Sequence, residues 1–179
     1  MEYRELPPTD IDRIGEINRA ELITGQYIVE PDKTGLGLVA RLQTIDPPLQ
    51  SPAWSEAGTA RRITDWRPHL DAGGWLYGAF DGDRFAGFII LGPAHADHSA
   101  EIVALFIDRD YRRQGIGQVL MNWAEGKARK EGIKAIFLYA NPTLSSANFY
   151  RKMGYQITGL IAHHIVASLP GDITMAKRL

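Results

Sequence analysis

Two rhythms of apolar residues run along this chain. Ile11, Ile14 and Ile17 recur on one helical face with Leu22 near the end, and Thr9-Asp10-Ile11-Asp12 has the form of a capping box that opens such a helix. From Ile23 to Ser55 the rhythm dissolves, because Gly25, Pro31, Gly35, Gly37, Pro47, Pro48 and Pro52 interrupt it and only Leu36 to Leu42 keeps a short regular pattern. Ser55 to Leu70 reads as a helix with Ile63, Trp66 and Leu70 on one side, kinked or ended by Pro68 and stopped by Gly73-Gly74. The pattern then changes to β-prone runs. Trp75 to Phe80 and Arg84 to Gly92, joined by Asp81-Gly82-Asp83, predict a hairpin. Ala100 to Ile107 predicts a further strand.

A turn at Arg112 to Gly117 leads into a helix carrying Ile116, Val119, Leu120 and Trp123 at helical spacing, with Gly132 as its stop. Ala135 to Ala140 reads as a buried strand. Ser145 or Ser146 caps a short helix with Phe149, Tyr150 and Met153, which Gly154 ends. Tyr155 to Val166 and Asp172 to Lys177 read as closing strands. This order predicts an α/β fold with a mixed sheet and helices on both faces. The irregular stretch from Ile23 to Ser55 is long for a loop in a compact domain, and such loops are often functional.

Composition narrows the function classes. With 179 residues the chain fits one domain, 1–179. Its 20 basic and 21 acidic residues leave a net charge of -1, with no basic excess to hold a long polyanion, so nucleic acid is not the expected partner. No apolar run is long enough to predict a transmembrane helix, so no membrane partner is expected. The first five residues are unlike a signal peptide. Cysteine is absent, which removes disulfides, thiolate catalysis and cysteine-ligated metals and suits a reducing cytoplasm.

The sharpest chemical signal is the strand–turn–helix around Arg112-Arg113-Gln114-Gly115-Ile116-Gly117. The first turn of a helix carries unpaired N–H groups at the positive end of its dipole, and glycine lets a ligand approach them. Such a turn suits phosphate or pyrophosphate. It is not a P-loop, since Gln118 and Val119 follow Gly117. It is not a dinucleotide fingerprint either, since Leu120 stands where a third small residue is required. Taken alone, the hexapeptide is equally a plain strand-to-helix turn.

The segment from Ala100 to Tyr155 resembles the GNAT superfamily of N-acetyltransferases. Arg112-x-x-Gly115-x-Gly117 is similar to the superfamily's Arg/Gln-x-x-Gly-x-Gly/Ala turn. Ser146-Ala147-Asn148-Phe149-Tyr150-Arg151-Lys152-Met153-Gly154-Tyr155 is similar to its Phe/Leu-Tyr-x-Lys-x-Gly-Phe/Tyr ending. Arg113 departs from the pattern where many members have glycine, and Arg109 where many have proline. The resemblance implies a GNAT-like, mostly antiparallel twisted sheet and acetyl-CoA as co-substrate. By the same resemblance, the backbone of Leu105, Phe106 and Ile107 pairs with the pantetheine arm. Arg112, Arg113, Gln114, Gly115, Ile116, Gly117 and Gln118 hold the pyrophosphate. Asn141 and Asn148 are further cofactor contacts. The implied reaction is acetyl transfer to a primary amine of a small molecule by direct attack. Protein lysine or N-terminal acetylation and a non-catalytic acyl-CoA sensor stay open, and a homodimer is compatible.

Transfer to an amine requires a base, because an ammonium has no lone pair, and a donor for the carbonyl oxygen, placed near the Phe106 N–H. The departing thiolate benefits from an acid. Tyr150 matches the family's proton donor. Glu101 lies at the spacing of the catalytic glutamate in histone acetyltransferases of the superfamily, and Glu21, at the end of the first helix, and His98 are rival bases. His95, Asp97 and His98 supply too few close donors for a metal site, and none is expected. His163 and His164 point to opposite faces of a strand. Tyr27 and Trp54 lie in the irregular region expected to cover the acceptor.

Overall fold

The computed structural model describes residues 1–160 and 172–179. The elements in chain order are β1 (Glu2–Leu6), a 3₁₀ segment (Pro8–Glu16), β2 (Glu21–Pro31), β3 (Leu38–Ser51), α1 (Glu56–Asp71), β4 (Trp75–Asp81), β5 (Arg84–Leu91), β6 (Ser99–Ile107), a 3₁₀ turn (Arg109–Tyr111), α2 (Ile116–Lys130), β7 (Ala135–Ala140), α3 (Leu144–Lys152), β8 (Gln156–Leu160) and β9 (Ile173–Arg178). The fold is α/β with a mixed, mostly antiparallel sheet and flanking helices. The chain forms two compact units: Met1–Glu21, Pro52–Ile136 and Arg178–Leu179 make the first, Leu22–Ser51 and Phe137–Lys177 the second.

In the first unit β1, β4, β5 and β6 are successive antiparallel neighbours. The β4–β5 hairpin closes through a two-residue turn whose first residue, Gly82, has φ +59. That conformation suits glycine and matches the twist of the strands. Alternation then divides the sheet into two faces. Phe88 packs against Trp66 of α1, with ring centroids 6.1 Å apart. On the opposite face Tyr77 stacks on Trp123 of α2 at 4.1 Å. Helices therefore lie on both faces of these strands. The face beneath α1 and the 3₁₀ segment carries Leu6, Leu76, Phe80, Phe85, Phe88 and Ile90, all buried.

Ile11 and Ile14 are fully buried and Ile17 nearly so, but the element that buries them is a 3₁₀ helix rather than the α-helix expected from a Thr9 cap. It starts at Pro8, and its N-cap, Pro7, makes no side-chain bond. A repeat of three without an i+4 partner is the 3₁₀ period, in which i and i+3 eclipse. Leu22 is not on this helix; it lies on β2 and is exposed, and Glu21 opens β2 rather than ending a helix. The α1 helix runs three residues past Pro68, whose carbonyl accepts the Ala72 N–H. On α2 Ile116 and Leu120 are buried, whereas Val119 is exposed.

In the second unit β2 and β3 form a two-stranded antiparallel ribbon where the sequence predicts an irregular stretch. Proline lacks a ladder donor and is confined to edge strands and strand ends, and Pro31, Pro47 and Pro48 lie in a ribbon only two strands wide. The Asp32 carboxylate holds the ribbon tip by accepting from the Thr34 N–H (2.9 Å) and hydroxyl (2.6 Å). The ribbon rests against the start of α3, where the Tyr27 N–H donates to the Pro142 carbonyl at 2.7 Å. The cap of α3 is Thr143, accepting from the Ser146 N–H, rather than Ser145 or Ser146. β8 and β9 pair antiparallel. The rest of the predicted strand to Val166, with His163 and His164, lies outside the described residues.

Candidate active site

The turn after β6 is built by charge-assisted bonds from Asp108 and Arg112, mostly to backbone groups. Asp108 is buried; its carboxylate accepts from the Asn18 N–H (2.9 Å), the Asp110 N–H (3.0 Å) and Arg84 Nη2 (3.3 Å). Arg112 Nη2 donates to the Arg19 carbonyl at 2.7 Å, Nη1 to Ala20 at 3.1 Å and Nε to Ile107 at 3.2 Å. The guanidinium expected to lend charge to a phosphate is thus occupied in tying the end of β6 to residues 19 and 20. Neither Asp108 nor this use of Arg112 is visible in the hexapeptide itself.

Beyond Arg112 the backbone is open. Arg113 has φ +64 and Gly115 φ +84, both left-handed. Arg113 stands in the conformation for which glycine is the unstrained choice, at a cost of about 1–2 kcal/mol. Gly115 is the N-cap of α2, and a Cβ there would meet nothing within 4 Å. Among the described residues, no acceptor takes the backbone N–H groups of Arg113 to Gln118. Unpaired donors, a left-handed cup and a helix N-terminus together fit a diphosphate.

The geometry of β6 refines the expectation for its backbone. The Asp108 N–H donates to Ala86 of the β5 edge at 2.9 Å. Antiparallel alternation then turns the backbone groups of Phe106, paired with Phe88, toward β5 and those of Leu105 and Ile107 the other way. The Phe106 N–H belongs to the ladder with β5 and is not available to a ligand. A bulge between Ile90 and Leu91 leaves Val103 as the extra residue of β6.

Glu101 follows the start of β6, and its carbonyl accepts the Gly92 N–H at 2.8 Å. Its side chain is half-buried, and burial pushes the carboxyl above the ordinary glutamate range. A residue the sequence reading missed sits nearby. His69, in the last turn of α1, has Nδ1 3.6 Å from where a Gly92 Cβ would stand. Burial, then the neighbouring His95, lower its pKa, so it is neutral at pH 7 and can accept a proton. Its only sequence signal was a place on the helix next to the apolar side. In the loop before β6, the Asp97 carboxylate is taken up by the Ser99 N–H (3.0 Å) and hydroxyl (2.6 Å).

In the second unit Tyr150 is buried on α3 against Tyr155, with ring centroids 6.0 Å apart. Its hydroxyl bonds to no described residue, and burial raises its pKa, so the phenol keeps its proton at neutral pH. Asn141 is exposed just beyond β7. Asn148 is half-buried, and its Oδ1 accepts the Tyr27 hydroxyl at 3.0 Å.

A family model described as the acetyltransferase (GNAT) family matches residues 26–155. The chain belongs to the GNAT acetyltransferase family. Streptothricin acetyltransferase of Streptomyces lavendulae is 28% identical over 160 residues, covering 89% of this chain and 83% of that protein. Probable N-acetyltransferase 14 of Xenopus tropicalis is 31% identical over 81 residues, which is 45% of this chain; the match spans only 39% of the frog protein. The GNAT fold extends over nearly all of the chain. A Bacillus anthracis protein solved in complex with acetyl coenzyme A superposes with a TM-score of 0.75 at 20% identity, covering 99% of each chain.

Proposed function

We propose that this GNAT domain, comprising all 179 residues, transfers an acetyl group from acetyl-CoA to a primary amine of a small molecule. The observation that carries the reading is the run of unpaired N–H groups from Arg113 to Gln118 around Gly115. A dianionic group is what such a cup is suited to hold. The streptothricin acetyltransferase that covers most of the chain favours a small acceptor over a protein.

When bound, acetyl-CoA supplies the activated thioester. The turn amides hold the diphosphate, and Arg112 keeps the turn in place from behind. The N–H groups of Leu105 and Ile107, turned away from β5, orient the acyl end and donate hydrogen bonds to its developing oxyanion. Glu101, raised toward neutrality by burial, takes a proton from the acceptor nitrogen. Tyr150 Oη holds the proton that the departing sulfur takes up.

Calorimetry with coenzyme A followed by thiol release with an amine panel tests the reading. We expect uptake of coenzyme A, turnover with at least one small amine, and a Tyr150→Phe variant that binds coenzyme A normally while kcat falls by about 10²-fold or more. Folded protein that takes up no coenzyme A refutes the proposal, and equal turnover in the variant removes the acid role.

A further inference from the structure

In the second unit β2 runs along the start of α3. The Tyr27 N–H donates to the Pro142 carbonyl at 2.7 Å, Gln26 forms an antiparallel bridge with Thr143, and a Cβ on Gly25 would stand 3.8 Å from the Leu144 Cβ. Gly25 and Tyr27 share one face of their strand, and Leu144 and Asn148, four positions apart, share one face of the helix. The glycine lets the strand lie close. Tyr27 is thereby carried over the next turn of α3, where its hydroxyl donates to Asn148 Oδ1 at 3.0 Å. Both residues are half-buried. An asparagine amide has one carbonyl oxygen and two N–H donors. Tyr27 takes the oxygen, and no described residue takes the N–H groups. Asn148 stands two positions before Tyr150, about 3 Å along the helix axis.

We propose that Tyr27 is a positioning residue for the co-substrate: by holding Oδ1 of Asn148 it presents the Nδ2 hydrogens to an amide carbonyl of the pantetheine arm. This rests on the N-acetyltransferase reading above, in which Tyr150 serves the sulfur at the end of that arm. A side chain so close to Tyr150 along α3 meets the arm rather than the adenosine half, and the arm's amide carbonyls are neutral acceptors that suit neutral donors. An amide without a fixed partner turns end over end and meets a ligand with its oxygen as readily as with its nitrogen. A phenol donating to the oxygen removes that freedom before the ligand arrives, which lowers the ordering cost of binding. The contact that fastens the ribbon to α3 is thus the same one that sets the amide.

The test measures Kd by calorimetry for coenzyme A and for 3′-phosphoadenosine 5′-diphosphate, which lacks the arm. The proteins are the wild type, Tyr27→Phe, Asn148→Ala, Asn148→Asp and the double variant of the first two substitutions. We expect Tyr27→Phe, which keeps the ring, to raise the coenzyme A Kd about three- to tenfold, the worth of one hydrogen bond, and to leave the armless nucleotide unchanged. Asn148→Asp still accepts from Tyr27 but has no N–H to give, so it should bind coenzyme A as weakly as Asn148→Ala. The double variant should be no weaker than Asn148→Ala alone, because Tyr27 acts through Asn148. A role confined to fastening the ribbon would lower Tm in Tyr27→Phe and leave coenzyme A affinity intact. That result overturns the proposal, as do losses that add in the double variant or that extend equally to the armless nucleotide. Coenzyme A uptake with the expected pattern but no turnover of any amine keeps the positioning role and sinks the transfer reading instead, whereas a folded wild type that takes up no coenzyme A overturns both. Should Asn148→Ala fail to fold, Tyr27→Phe and Asn148→Asp still read the two sides of the contact.

Discussion

Replacing Arg112 by lysine separates a residue that lends charge from one that builds the turn. Lysine keeps the positive charge but offers a single ammonium, whereas the guanidinium spans three carbonyls, those of Ile107, Ala20 and Arg19. An ammonium reaching one of them forfeits about two bonds. A hydrogen bond to a charged group contributes about 1.5–3 kcal/mol. Arg112 is only half-buried, so water recovers part of that loss, and a net cost of about 2–3 kcal/mol follows. For a domain of this size each kcal/mol moves Tm by about 2–4 °C, so Arg112→Lys should melt about 4–12 °C lower. Loosening the turn should also weaken coenzyme A binding in calorimetry, although the charge is conserved. Differential scanning calorimetry and titration with coenzyme A read the two effects. Should the lysine variant melt with the wild type and bind coenzyme A equally, the carbonyl clamp is not what holds the turn, and Arg112 contributes charge alone.

Two other outcomes follow from the same geometry. Gly115→Ala places a Cβ on a residue at φ +84 in open space, so backbone strain alone should cost about 1–2 kcal/mol, and the methyl group in the amide cup should raise the Kd for coenzyme A; unchanged stability and affinity would refute the left-handed cup. Because burial raises the Glu101 pKa, the native state keeps that proton to higher pH than the unfolded chain does. Stability should therefore fall as pH rises from the ordinary glutamate value through the raised native one, and Glu101→Gln should abolish this loss in pH-dependent denaturation. If Glu101 is the base, kcat/KM rises with pH through the same raised value and the variant lacks that limb. A variant with the wild-type profile would transfer the role to His69.

Much of this fold is written in short stretches of sequence. The β4–β5 hairpin follows from Gly82 between two β-prone runs. The α2 start at Gly115 and the stops at Gly132 and Gly154 follow from glycines at left-handed positions, each set by chemistry within a few residues. The resemblance to GNAT proteins rests on one such continuous region, which is why the family was legible before any tertiary contact was known. Elements that depend on distant partners were not legible. The β2–β3 ribbon carries its prolines in a sheet only two strands wide, a fact of pairing that no local pattern carries. The 3₁₀ segment was read as an α-helix because Ile11, Ile14 and Ile17 satisfy either period over so short a run.

The candidate site divides along the same line. The residue types of the turn, Tyr150 and Glu101 could be named from sequence, but what their side chains do could not. Arg112 looks like a phosphate ligand in its motif, and only the fold brings it to carbonyls 92 and 93 residues away. His69 lies on a helix with no motif to mark it. Its neighbours Gly92 and His95 follow β5 and are brought to it by long-range packing that a linear pattern does not encode.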